Sequence, residues 1–160
     1  MRSILLAAMM IAGLAAPRTV AAQTPAAWIG TWTLNVAKST YNPGPPPYKR
    51  GTLTVEPWQD GVRMVSDLVG TRGGVTHYEW TGKFDGEDYA LQGIEEDLTY
   101  SYAPLDDRSV EVVIKVAGRP VARARTTISP DGKTMTTVSS GFNARGQEVR
   151  TTTVYEQVEK

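Results

Sequence analysis

The sequence predicts an all-β chain, an antiparallel up-and-down meander closed into a barrel of about ten strands. Three observations carry that expectation. From Gly51 onward, turn signals recur at gaps of roughly ten to fourteen residues, the beat of strands joined by tight hairpins. Between them lie mostly Val, Thr, Tyr, Ile and Trp, which suit a pleated surface. No window holds a sustained 3.6-residue apolar period bounded by helix caps.

The first 22 residues read as a cleavable signal peptide. Met1 and Arg2 give a positive start, Ile4 to Ala16 is mostly apolar, and Val20-Ala21-Ala22 before Gln23 fits the small-x-small cleavage rule. The apolar run is too short to span a bilayer comfortably, and nothing later could do so. The chain is therefore expected in the periplasm or secreted, with no stable membrane insertion once the signal is removed. The remaining 138 residues suffice for one domain, 23–160. They hold 15 basic against 17 acidic side chains, a balance that argues against nucleic acid and anionic surfaces. There is no cysteine, so no disulfide staples the fold and its core must suffice.

Ten strands are expected, at about 28–35, 49–58, 61–70, 74–84, 87–92, 97–103, 108–117, 120–129, 133–142 and 147–158. The turns between them include Asp60-Gly61, Gly73-Gly74, Asp85-Gly86, Asp106-Asp107, Gly118 and Asp131-Gly132. Closing such a meander into a ring removes its free edges. A two-sheet sandwich is the competing architecture, but its crossovers need longer links. The one long link is the proline-rich stretch 42–48, NPGPPPY. It forbids helix and favours extended polyproline geometry, so it reads as a stiff connector crossing one end of the barrel.

The stretch AWIGTWTL, Ala27 to Leu34, contains Gly30-Thr31-Trp32. It resembles the Gly-x-Trp signature that opens the first strand of lipocalins and fatty-acid-binding proteins, the calycin-like barrels. TTTVYEQVE, Thr151 to Glu159, is similar to the last strand of the fatty-acid-binding proteins, and the strand count also matches that family. The resemblance implies a carrier that binds a small amphipathic molecule inside a barrel, as a monomer without cofactor. Two departures stand out. The family places a helical lid after its first strand, where this chain has the proline-rich run. The family's last-strand arginine corresponds to Thr153, although its tyrosine is kept as Tyr155. A ligand smaller or more polar than a long acyl chain is therefore expected.

Strand alternation fixes which side chains face inward. In 108–117, Val110, Val112, Ile114 and Val116 share one face, which should be the inner one. An even turn at 117–120 would set Ile114 opposite Arg123 and Val112 opposite Arg125, aiming both arginines inside. Further even loops carry Val138, Phe142, Thr153 and Tyr155 to the same face. The family's other carboxylate-binding arginine lies on this third strand from the end. Arginine's planar fork suits a carboxylate, so an anionic ligand is expected. Arg123 and Arg125 would supply charge, Thr153 and Tyr155 hydrogen bonds, and Val112, Ile114 and Phe142 an apolar wall. One bulged hairpin would instead turn both arginines to solvent.

Other chemistries find less support. His77, the single histidine, shares a strand face with Glu79, and the two are the candidates for acid–base catalysis in a cofactor-free isomerase, cyclase or hydrolase. No nucleophile motif accompanies them. One histidine among scattered carboxylates makes no metal site. A third class is a structural protein of the envelope with a filled barrel. Eleven of the thirteen aromatic residues are Trp or Tyr, which suit a cavity wall shared with water or a packed core.

Overall fold

The structure, a computed structural model, describes residues 26–143 and 145–159. The expected signal peptide, 1–22, lies outside them. A 3-10 turn at Ala26–Trp28 leads into β1 (Gly30–Leu34). A second, Val36–Lys38, precedes the three-residue β2 (Thr40–Asn42). The meander follows as β3 (Tyr48–Trp58), β4 (Gly61–Gly70), β5 (Val75–Gly82) and β6 (Tyr89–Gln92). It continues through β7 (Leu98–Asp106), β8 (Ser109–Val116), β9 (Arg119–Ile128), β10 (Thr134–Phe142) and β11 (Glu148–Gln157). Ten of these strands form an antiparallel ring in the order β1, β3 and so on to β11, which closes back on β1 through Trp32–Gln157 and Leu34–Tyr155. The all-β barrel and its ten-membered ring agree with the sequence expectation.

The eleventh strand was not expected. After Leu34 the chain leaves the ring in a turn whose start is held by Asn35, its Oδ1 accepting from Lys38 N at 3.0 Å. Ser39 stitches that turn to the barrel by donating to Asn35 O (2.8 Å) and accepting from Val154 N (3.0 Å). The β2 strand then runs along the part of β11 that β1 leaves free, pairing Thr40 with Thr152 and Asn42 with Arg150. The segment 43–47 joins β2 to β3 at this end, as a connector. It is tied to the β4–β5 hairpin where Thr71 N donates to Pro47 O at 3.0 Å.

One end of the barrel is filled by aromatic rings. Trp28, Trp32, Trp80 and Phe84 are each 1% exposed or less. Phe84 meets Trp28 edge-on at 5.4 Å and stacks on Tyr102 at 5.2 Å, and Trp80 contacts Tyr102 at 4.6 Å. Such pairs add about 0.5–1.5 kcal/mol each beyond the area they bury. The indole N–H groups of Trp32 and Trp80 donate to Trp28 O (3.1 Å) and Tyr100 O (3.2 Å), which satisfies them inside the core. Gly82 lets the plug form: a Cβ there would lie 2.6 Å from the Tyr89 ring and 2.7 Å from that of Trp80.

The hairpin registers correct part of the sequence expectation. The β8–β9 turn is the two-residue Ala117-Gly118, both at positive φ (47° and 75°), so Val116 pairs with Arg119. The ladder then slips by one residue. Lys115 pairs with Pro120 but Ile114 with Ala122, leaving Val121 as a bulge. Ala124, Thr126 and Ile128 consequently face inward, and Arg123 and Arg125 face solvent opposite Val113 and Glu111. The β9–β10 hairpin carries this parity on, so Val138 and Phe142 are 55% and 69% exposed rather than internal. At β10–β11, Phe142 pairs with Glu148, not with Gln147 as an even loop requires. This second offset restores the expected parity, and Thr153 and Tyr155 face the interior.

Candidate functional site

Beyond the aromatic plug the barrel encloses a cavity of about 260 Å³. Seventeen residues line it, and none carries a charge. Val112, Ile114, Thr153 and Tyr155 are among them, as the sequence predicts; Arg123, Arg125 and Phe142 are not. The guanidinium of Arg123 instead reaches Glu111 at 3.4 Å on the outer wall, with both side chains about half exposed.

Two unlike walls enclose this space. On one side β5 supplies Tyr78 and Trp80, and β7 supplies Tyr100 and Tyr102. On the other, Thr126, Thr137 and Thr153 stand in one cross-strand row on β9, β10 and β11, with Ser139 in the next row. In a ten-membered ring β10 lies five strands from β5 in either direction, so Thr137 stands across the lumen from Tyr78 and Trp80. Thr126 and Thr137 share a hydrogen bond at 2.8 Å. A hydroxyl has one donor and two acceptor sites, so that pair still presents one free donor to the lumen.

The phenols divide into two groups. Tyr102 belongs to the plug through its ring contacts with Trp80 and Phe84. Among the described residues Tyr78, Tyr100 and Tyr155 have no aromatic partner. Nor do hydrogen bonds engage the hydroxyls of Tyr100, Tyr155 or Thr153, yet these are not sealed orphans. The buried side-chain polar atoms lacking a partner among the described residues are Trp28 Nε1 and Thr99 Oγ1 alone. The three hydroxyls therefore keep accessible surface within the cavity. Burial pushes the pKa of Tyr78, Tyr100, Tyr102 and Tyr155 above the ordinary phenol value, and their mutual proximity adds to the rise for the last three. Ser66, beside Tyr78, moderates the shift there. All four remain neutral donors and acceptors at physiological pH.

His77 and Glu79 lie on the outer wall of β5, pointing away from this space. His77 Nδ1 is 2.8 Å from Asp67 Oδ1 and its Nε2 is 3.4 Å from Glu79 Oε1. Arg63 grips Glu79 with two bonds, 3.0 and 2.7 Å, and Glu56 with a third at 2.9 Å. The result is a ladder of alternating charge across β3, β4 and β5, with no approach to the cavity. Among the described residues no group of three or more His, Cys, Asp or Glu side chains could hold a metal ion. No helix among them is long and apolar enough to cross a membrane.

Of the seventeen lining residues, thirteen were not among the sequence-predicted site residues, and Ser66, Tyr78, Thr126, Thr137 and Ser139 are the polar ones of most consequence. For Thr137 and Ser139 the signal was available in β10, where they share a face with Met135 and alternate with Val138. The parity that buries Met135 is the correct one, and the parity carried from an unbulged β8–β9 hairpin pointed the other way.

Fold and site together define a barrel with one plugged end and an uncharged lumen, and the closed ten-stranded ring fits a calycin-like fold. No family model matches the chain, and no curated protein does. Among solved structures it is similar to the zebrafish ileal bile acid-binding protein complexed with cholic acid, at 9% identity over 82% of this chain and 99% of that one, with a TM-score of 0.46. A redesigned β-barrel bound to DFHBI gives 13% identity, 82% and 99% coverage and a TM-score of 0.40. The siderocalin Ex-FABP, described as functioning through dual ligand specificities, gives 9%, 82% and 71%, and 0.36. Likenesses of this size carry no argument about what this chain binds.

Proposed function

We propose that the protein is an exported carrier that holds one small, uncharged, amphipathic molecule inside the barrel. The observation that carries this reading is the cavity of about 260 Å³ whose seventeen lining residues include no charge. Its size lies just below the roughly 300–1,000 Å³ typical of pockets for drug-sized ligands, which favours a compact guest over a long acyl chain. An ionised carboxylate in this lumen would meet no cation, and burying it unpaired costs several kcal/mol. The ligand is therefore neutral, in place of the anion that inward arginines would have called for. Val112 and Ile114 supply apolar wall, and Thr153 and Tyr155 supply hydrogen bonds. Export to the periplasm or beyond rests on the N-terminal 22 residues.

Native mass spectrometry of protein purified from its own host tests this reading. The expected spectrum shows a chain beginning at Gln23 with an added mass that denaturation releases. A spectrum without added mass, from protein that also takes up no neutral amphipathic probe, overturns the carrier. A chain that retains Met1 overturns the export. The catalytic reading through His77 and Glu79 has no observation in its favour, since both side chains lie across the sheet from the lumen.

A further inference from the structure

We infer that the ligand is a flat, neutral aromatic molecule bearing hydroxyl or carbonyl oxygens at its edge; this rests on the carrier reading above and names the chemical class of its guest. The lumen is divided into two unlike walls. On the β5 and β7 side, Tyr78 and Tyr100 present rings that no other aromatic residue of the described chain engages. The remaining large rings nearby, Trp80, Phe84 and Tyr102, are already packed on one another. Ring faces left unmatched in an enclosed space favour a partner that stacks on them or meets them edge-on. A branched or saturated guest would cover the same area without that complementarity.

The opposite wall asks for oxygen. Thr126, Thr137 and Thr153 form a row of three hydroxyls on adjacent strands, and among the described residues the Thr153 hydroxyl makes no hydrogen bond although it is not sealed from the cavity. A purely hydrocarbon guest would leave these groups, and the phenols of Tyr100 and Tyr155, without partners in a dry cavity, at about 1–3 kcal/mol for each unsatisfied group. A guest with oxygens at its rim satisfies them while its ring system occupies the aromatic side. A charged rim is disfavoured because no lining residue can balance it. Each hydroxyl both donates and accepts, so phenol, quinone and lactone oxygens are all served.

Isothermal titration calorimetry of the purified protein with three probes of the same two-ring frame tests the inference: naphthalene-2,7-diol, naphthalene and 2-naphthoate. The diol is expected to bind at least about tenfold more tightly than either of the others, the scale set by one or two hydrogen bonds. Thr153→Val and the double variant Thr137→Val/Thr153→Val should weaken the diol by about tenfold and leave naphthalene within about twofold. Thr153→Val alone, a near-isosteric change at a group without a partner, serves if the double variant loses its circular-dichroism signature. Equal binding of diol and naphthalene, or a diol affinity unmoved by Thr153→Val, overturns this inference and leaves the carrier reading standing, whereas tighter binding of 2-naphthoate overturns the inference together with the neutral guest of that reading. Failure of all three probes to bind overturns this inference, and it overturns the carrier as well only where the native spectrum also shows no added mass.

Discussion

Ile114 faces Ala122 across the β8–β9 ladder, and Arg123, one residue further on, faces Val113 outside. That one-residue slip at Val121 decides the electrostatics of the lumen, because it exchanges two guanidinium groups for Ala124 and Thr126. Removing the arginines should therefore leave the interior untouched. Arg123→Ala/Arg125→Ala is expected to keep the affinity for a neutral guest and to change stability by no more than about 0.5 kcal/mol, as for other surface substitutions. Titration calorimetry and urea unfolding of the double variant check both expectations.

The two phenylalanines offer a contrast in burial. Phe84 is fully buried among Trp28, Trp80 and Tyr102, whereas Phe142 lies on the outer wall. Phe84→Ala should cost about 3–5 kcal/mol through lost burial and the cavity left behind. Phe142→Ala should stay within about 0.5 kcal/mol. Denaturant midpoints of the two variants measured side by side provide the check, and equal losses would contradict the structure.

At Gly82 the backbone passes directly beneath two rings. A methyl group there would press on the Tyr89 ring at 2.6 Å and the Trp80 ring at 2.7 Å. Neither ring is free to retreat, since Trp80 is 1% exposed and the Tyr89 hydroxyl donates to Asp85 at 2.7 Å. Gly82→Ala is expected to destabilise by about 1–3 kcal/mol, the usual range for overpacking, with a shift in tryptophan emission as Trp80 moves.

Within the outer charge ladder, His77 and Glu79 respond to pH with opposite signs. Asp67, and then Glu79, raise the pKa of His77. The pair's stability is thus complete below the unfolded value of about 6.5 and fades as pH climbs through the raised folded value. Glu79 is lowered, first by Arg63 and also by His77. Its contribution is present above the ordinary carboxylate range and is lost as pH falls through the depressed value. His77 is the single histidine, so one NMR titration reads it cleanly. The midpoint is expected above about 6.5 and should drop in Asp67→Asn; a midpoint that ignores Asp67 would rule out the pairing.

Strands were legible from sequence because hairpin punctuation is local: Gly118, Gly132 and the aspartates beside the turns mark boundaries without reference to distant residues. The inner and outer faces were harder. Parity must be carried through every loop, and one added residue inverts all that follows. The β8 face could be read directly from Val110, Val112 and Ile114, which share the buried side. Arg123, Arg125, Val138 and Phe142 inherited an offset from the Val121 bulge, and Thr153 and Tyr155 escaped it only because the β10–β11 loop introduced a second. The β2 strand was illegible for another reason, since Thr40–Asn42 takes its pairing from β11, more than a hundred residues away in the chain.

The aromatic stopper at one end has a kinetic corollary. With that end closed among the described residues, the guest proposed above and its successor would have to enter and leave from the other side, by the same passage in turn. On that reading exchange would proceed by departure followed by arrival, at a pace set by how tightly the first occupant is held and indifferent to how many competitors wait outside.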